Sequence, residues 1–317
     1  MALAVVLGLV GLWPAMQLSA GVDPQVAAEA RWIQVFHRLP HHLNPSYFLW
    51  RRGWLDVPFG VRFLALAILW LGLARGLRDL PNRRLSAFVL GGLAIAAAGL
   101  AIAVLWRHQP YPAARLLRFY WFRLADVLLP AGAALAVTAR ILQWQAIHPW
   151  RAGLLLAAGV VVAVGHGTDR LSRHARQVIP AADRKTAGTV QQLADWREVC
   201  DHIRRRTPPD AVCIVPRWSH TFKWYAERGE VGTWKEMPQD AASVVEWWRR
   251  LQALDPGPAV QPRSRAQLPP HRLRELAAEY GATYLVTDAR PALPFPRLVA
   301  NDSYAVYQLF PPRRGSP

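Results

Sequence analysis

Lysine is almost missing from this chain: Lys185, Lys223 and Lys235 are the only three among 38 basic residues. Cysteine is scarcer still, with Cys200 and Cys213 alone. Their spacing fits no zinc pattern and forms no CxxC redox pair. Two buried thiols and a single disulfide outside the cytoplasm both stay open for them. Ser-His-Asp spacing, a phosphate-cradling glycine-rich loop and a carboxylate dyad are absent too, so no familiar catalytic motif is present. Acidic residues number 21, leaving a net charge of +17 carried almost wholly by arginine. No helix-turn-helix, zinc finger or aromatic RNA-binding signature goes with that charge, which argues against a nucleic-acid partner. Codon bias explains much of the arginine. Arginine near a membrane boundary also meets lipid phosphates.

Charge is missing altogether from one long run. Leu85 to Trp106, "LSAFVLGGLAIAAAGLAIAVLW", contains no ionisable side chain. At about 1.5 Å per residue a helix of that length crosses a hydrocarbon core of roughly 30 Å. Ala2–Ala20, Leu55–Ala74, Phe119–Ala139 and Ala152–Thr168 are weaker candidates, giving about five expected spans. The fourth is the least regular, because Arg123 and Asp126 fall inside it. No basic residue precedes Arg31, so Ala2–Ala20 reads as a span rather than a cleaved signal. As a span it can also be an internal helix of a longer protein whose start lies upstream.

Orientation follows from the short loops. "RGLRDLPNRR", residues 75–84, carries four arginines and is expected on the cytoplasmic side. Counting crossings then exports the opening segment, the loop of residues 119–123, and everything after Thr168. Arg51, Arg52, Arg107, Arg115 and Arg118 therefore cluster on the outer side, against the usual rule. They are expected to have a task there.

From about residue 184 the pattern changes. "TVQQLADWREVCDHIRRR" puts Val190, Leu193, Trp196, Cys200 and Ile203 on one helical face, and "TPPD" stops that helix. "AVCIVP" reads as a buried strand. "SVVEWWRRLQAL" repeats the amphipathic pattern through Val244, Trp248 and Leu251. "HRLRELAAEYG" ends on Gly281 as a cap, and "TYLVTD" and "YAVYQL" close the chain as strands. The expected architecture is an α-helical multi-pass membrane region over 1–183, then a small extracytoplasmic α/β domain over 184–317.

"FHRLPHHLNPSYF", "RFYWFRLADVLLP", "CDHIRRRTPPDAVCIVP" and "TFKWYAERGEVGTWKEMP" together resemble an uncharacterised bacterial family of multi-pass membrane proteins. That family looks distantly like the GT-C membrane glycosyltransferases. The resemblance implies a protein of the cytoplasmic membrane that takes a sugar from a polyprenyl-phosphate donor on the outer side. It departs from GT-C enzymes in the first outer loop, which offers only Asp23 and Glu29, without their usual acidic pairing. A divalent metal enters only if a further acidic loop lies upstream. The other reading is a non-catalytic envelope protein whose α/β tail binds a polymer or a protein partner, its spans serving as an anchor in the bilayer.

The candidate residues fall in three groups. In "HRLPHHLNPSYFLWRRGW", His37 and His41 are four apart, but Pro40 disfavours a regular helix, and no Glu lies between them as a zinc helix requires. No metal site is assigned. His41, His42 and Asn44 can hydrogen-bond a sugar or phosphate, with Arg38, Arg51 and Arg52 supplying charge. Alternatively the loop lies at the membrane surface, anchored by Tyr47, Trp50 and Trp54. In "RFYWFRLADVLLP", Arg123 and Asp126 are three apart and can pair on one helical face, with Arg118 nearby. They are either a donor-phosphate site or a structural pin. In the tail, His220, Lys223 and Lys235 stand out, the first two just after a strand, where open α/β sheets hold ligands.

Overall fold

The computed structural model of the chain describes residues 21–52, 57–77, 79–175, 178–255 and 264–311. Ala2–Ala20 and Trp54 lie outside them. The chain divides into two compact units, residues 1–172 and 173–317.

The first unit is helical. Its first elements are α1 (Pro24–Trp32), running into a π-helical segment (Ile33–Arg38), then α2 (Pro40–Leu43) and α3 (Pro45–Trp50). The long helices follow: α4 (Phe59–Ala74), α5 (Leu80–Leu105), the short α6 (Pro110–Leu117), α7 (Arg123–Ile147) and α8 (Pro149–Ala175). Among the described residues three helices are long and apolar enough to cross a membrane, in α5, α7 and α8, which makes the first unit a membrane region. The apolar α4 is shorter, at 16 residues. Their outward faces carry Leu64, Ile68, Phe88, Leu90, Leu135 and Val161, all exposed, as suits hydrocarbon.

The expected fourth span begins later than its apolar pattern implied. Residues 119–122 are turn, because Tyr120 takes a left-handed backbone (φ 55°), and the helix starts at Arg123. Arg123 and Asp126 therefore sit in its first turn. There the carboxylate meets the positive helix end, and Pro130, lacking an N–H, leaves the Asp126 carbonyl without its usual helical donor.

Small residues bring the long helices together. A Cβ added to Gly132 of α7 would stand 2.5 Å from Val89 Cγ2 of α5, and one on Gly99 would overlap Trp121. Trp70, Val89, Leu129, Ala133 and Ala136 form the core between α4, α5 and α7. At the end of α4, the Arg140 Nε donates to the Leu73 carbonyl at 2.7 Å, satisfying a helix-terminal acceptor.

The second unit is a three-layer α/β/α sandwich. Its helices are α9 (Val190–Arg206), α10 (Phe222–Ala226), α11 (Ala241–Leu254) and α12 (Pro270–Tyr280). Its strands are β1 (Val212–Ile214), β2 (Gly229–Glu230), β3 (Tyr284–Asp288), β4 (Arg297–Ala300) and β5 (Tyr304–Gln308), in the order β2-β1-β3-β5-β4. β1 runs parallel to β2 and β3, while β5 is antiparallel to both its neighbours. Alternation along the strands splits the core in two. Cys213, Val215, Val286 and Val306 meet Trp196, Val199, Cys200 and Ile203 of α9 on one face. Ile214, Leu285, Ala305 and Tyr307 meet Leu254, Leu273, Leu276 and Ala277 on the other.

Local signals explain the helix ends. Thr189 caps α9 by accepting from Gln192 N, and Gln192 Oε1 accepts from Gly188 N, one residue before the cap. Gly281 closes α12 at φ 67°, as its position implied. Two face assignments shift. Val190 is exposed at the first position of α9, and on α11 the buried indole is Trp247, with Trp248 only half-buried. The Trp247 Nε1 donates to the Thr233 carbonyl at 2.8 Å, a partner that apolar periodicity cannot reveal. Cys200 and Cys213 are free and buried.

Candidate functional site

The candidate residues of the first unit gather in a cap built from α1 to α3, α6 and the turn before α7. Its core is Val35, Leu43, Ala113, Ala114 and Leu117, with Trp32, Trp106 and Trp121 against it. Around this core the chain places arginines and histidines. His37 and His41 do not share a face: the backbone breaks at Leu39 and Pro40 restarts the helix. His37 packs edge-on to Trp32 (4.3 Å between ring centroids), whereas His41 lies against His42 at 4.1 Å. Asn44 caps α3, its side-chain oxygen accepting from Ser46 N, and Asp23 caps α1 in the same way.

Tyr120 is the hub. Its ring stands 6.4 Å from that of His42, and the Arg123 guanidinium carbon lies 5.9 Å from its centroid. Arg38 is close enough for the Tyr120 hydroxyl to raise its pKa, although burial has the larger effect and pulls it down. A bulky residue in the left-handed region is uncommon and costs free energy, so the surroundings hold it there. Arg123 and Asp126, both exposed, make no ion pair within 4.0 Å; Arg123 faces Tyr120 instead, and Asp126 lies in the fields of Arg123 and His42.

Burial pushes His41 down first, followed by the positive charge of His42, Arg51 and Arg38. Its imidazole is therefore neutral near neutral pH and can both donate and accept. Arg118 belongs to a second cluster. Arg31 of α1 is depressed by burial and then by Arg118 and Arg115 of the α6 end, and its Nε is buried without a hydrogen-bond partner. Arg31 and Tyr120 were not singled out from the sequence, and Arg115 only as one of the outer-side arginines. Arg31 and Arg118 lie in distant stretches of chain, and nothing local in either one announces the meeting.

Beside the cap runs an open groove of about 640 Å³, lined by Ile95, Leu116, Phe119, Tyr120, Trp121, Arg123 and Leu124. One cation stands on an otherwise apolar and aromatic wall. Such a site can take an apolar chain ending in an anion, since the guanidinium fork suits phosphate oxygens. Among the described residues no group of three or more His, Cys, Asp or Glu could hold a metal ion.

The tail candidates separate. His220 is half-buried and packs edge-on to Trp218 at 5.8 Å. Lys235 is exposed. Lys223 alone lines a cleft, of about 270 Å³, with Glu230, Glu236, Ser243, Trp247 and Arg250 among its neighbours. Its Nζ lies 3.9 Å from Glu230 and 3.6 Å from Glu236. Glu230, whose side chain is 2% exposed, is pushed up to about 7, chiefly by burial and against the pull of Thr233 and Lys223. The cleft opens at the carboxyl end of β2, the ligand side of a parallel sheet. Glu230 was missed because it sits in a two-residue strand that leaves no period to read.

A family described only as a domain of unknown function, DUF6798, matches residues 194–254, from α9 through α11. That stretch contains every residue lining the cleft. No curated protein matches the chain.

Proposed function

We propose that this chain is an integral protein of the cytoplasmic membrane that binds a polyprenyl-phosphate-linked sugar at its arginine-rich cap. In this reading it acts as a GT-C-like glycosyltransferase or as part of one. The observation that carries the proposal is the position of Arg123 on the wall of the apolar groove, beside Tyr120 and the basic cap. An isoprenoid chain lies along the groove, its phosphate meets Arg123, and neutral His41, with His42 beside it, offers hydrogen bonds to the sugar. The proposal includes about five crossings, an outward-facing cap and an exported α/β tail, which follow from the arginine-rich loop of residues 75–84.

A thermal-shift series in detergent tests it, with polyprenyl phosphate and with the corresponding polyprenol. The phosphate is expected to raise the Tm of the native protein, and to raise that of Arg123→Lys less, because a point charge replaces the fork. Asp126→Asn should respond like the native chain, since Asp126 does not hold Arg123. An equal rise for native protein and Arg123→Lys, or for phosphate and polyprenol, ends the proposal.

The cleft at Lys223 favours a second reading, in which the spans anchor the protein and the tail binds an envelope polymer.

A further inference from the structure

The cleft of the second unit has a mixed lining. Lys223, Ser243 and Arg250 bring donors, and Glu230, Glu236 and Glu246 bring acceptors, around one aromatic wall, Trp247. That indole is fixed by its bond to the Thr233 carbonyl, so the wall is rigid. Glu230 is held as well, one oxygen accepting from Thr233 Oγ1 at 2.7 Å. The Lys223 ammonium lies between two carboxylates, at 3.9 and 3.6 Å, both beyond hydrogen-bond length, so its donors are not spent on either.

These features restrict what can bind. Glu246 is spent on Arg249 and Arg250, but Glu230 and Glu236 still face the cleft and disfavour a phosphate, and the polar lining gives a hydrocarbon nothing to displace favourably. A free cation meets Lys223 and Arg250. A neutral ligand carrying many groups that both donate and accept matches the alternating lining, and hydroxyl groups do so. A volume of about 270 Å³ falls just below the roughly 300–1,000 Å³ of sites for drug-sized ligands, leaving room for one ring and its substituents. A small polar cleft at the carboxyl end of a parallel strand, holding a buried carboxyl with perturbed titration, is also where binding sites concentrate.

We infer that this cleft is a saccharide site that seats one pyranose unit of a glycan. Glu230 and Glu236 accept from sugar hydroxyls, Lys223, Ser243 and Arg250 donate to sugar oxygens, and Trp247 backs the ring. The inference deepens the reading in which the tail binds an envelope polymer, and it does not depend on the lipid site.

The test uses the full chain in detergent. Calorimetric titration with the methyl glycosides of glucose, galactose, mannose and N-acetylglucosamine is run beside sedimentation with isolated cell-wall polymer. At least one glycoside is expected to bind saturably. Glu230→Gln and Ser243→Ala should each weaken it about tenfold while leaving the polyprenyl-phosphate shift unchanged. Ser243→Ala covers the case in which the buried Glu230 substitution disturbs folding. Saturable binding to none of the four sugars, or equal binding by both variants, overturns the saccharide site. Polymer binding that persists in the variants leaves the broader tail-binding reading standing and removes this one. A native chain that binds neither a glycoside nor the polymer removes both.

Discussion

Arg217 and Asp255 face each other at 3.6 Å with side chains that are essentially inaccessible to solvent, and Arg265 approaches the same carboxylate at 3.9 Å. Two buried guanidinium groups thus share one carboxylate. Arg265 also donates to the carbonyls of Val215 and Leu254, and burial brings it down to about 10. Arg217 has no such hydrogen bonds and rests on Trp234 at 4.7 Å.

This imbalance gives an asymmetric expectation. Asp255→Ala leaves two buried cations without an anion and should cost about 3–5 kcal/mol. Arg217→Met removes the surplus charge and keeps the packing, so it should be neutral or stabilising. Denaturant unfolding of both variants checks the pair. A loss from Arg217→Met as large as that from Asp255→Ala would show that Arg217 has a partner the geometry does not supply.

The tail was largely legible in the sequence because its signals are local. Strand runs such as "YLVTD" are apolar on both faces since helices cover both, and Gly281 and Thr189 mark helix ends by their own chemistry. The cap was legible only as a list of charged residues. Which arginines meet depends on how α1 packs on α6, and the helix start at Arg123 depends on one residue, Tyr120, whose backbone no apolar period encodes. Pairing of Arg123 with Asp126 was reasonable at three-residue spacing, but Tyr120 takes the guanidinium instead.

Glu230 should make stability depend on pH. Its folded-state pKa, about 7, lies above its ordinary 4.5, so the folded protein holds this proton more tightly than the unfolded chain. The contribution is complete below 4.5 and is lost as pH rises through about 7, on the order of 3 kcal/mol. Glu230→Gln cannot titrate. The native Tm should therefore fall relative to that of the variant across this window, and parallel curves would place the carboxylate in better solvation than its burial implies.

Close helix contact in the membrane region should fail on enlargement at Gly132. A Cβ there meets Val89 within 2.5 Å and the indole nitrogen of Trp70 at 3.3 Å, and all three belong to packed helices. Gly132→Leu should separate α5 from α7 and lower the detergent Tm by several degrees, whereas Gly91→Leu, where nothing lies within 4 Å, should not. Equal effects at the two sites would argue against this interface.

The native cysteines simplify a topology test. Burial drives Cys200 well above the usual thiol range and Cys213 up to about 12, so neither reacts as a thiolate until the tail unfolds. Asp302 is exposed in the turn before β5. An Asp302→Cys variant should be labelled by an impermeant maleimide in intact cells, while the native chain stays unlabelled. Labelling only after lysis would put the tail in the cytoplasm and remove the outward-facing cap from the proposed function.

Tyr120 should exchange stability against binding. Its left-handed backbone, at φ 55°, costs a tyrosine roughly 1–2 kcal/mol and costs glycine nothing. The residue is 38% exposed, so removing its side chain gives up limited burial. Tyr120→Gly should therefore melt no lower than the native protein, despite losing a whole aromatic ring. The same change strips one wall from the groove and removes the surface over which Arg123 lies, so the Tm rise with polyprenyl phosphate should shrink. Tyr120→Phe keeps the ring and the strain, and should bind nearly as the native chain does. If the ring only anchored the turn, Tyr120→Gly would melt lower and keep its lipid response. Stable folding with the response lost is the pattern expected of strain retained for function.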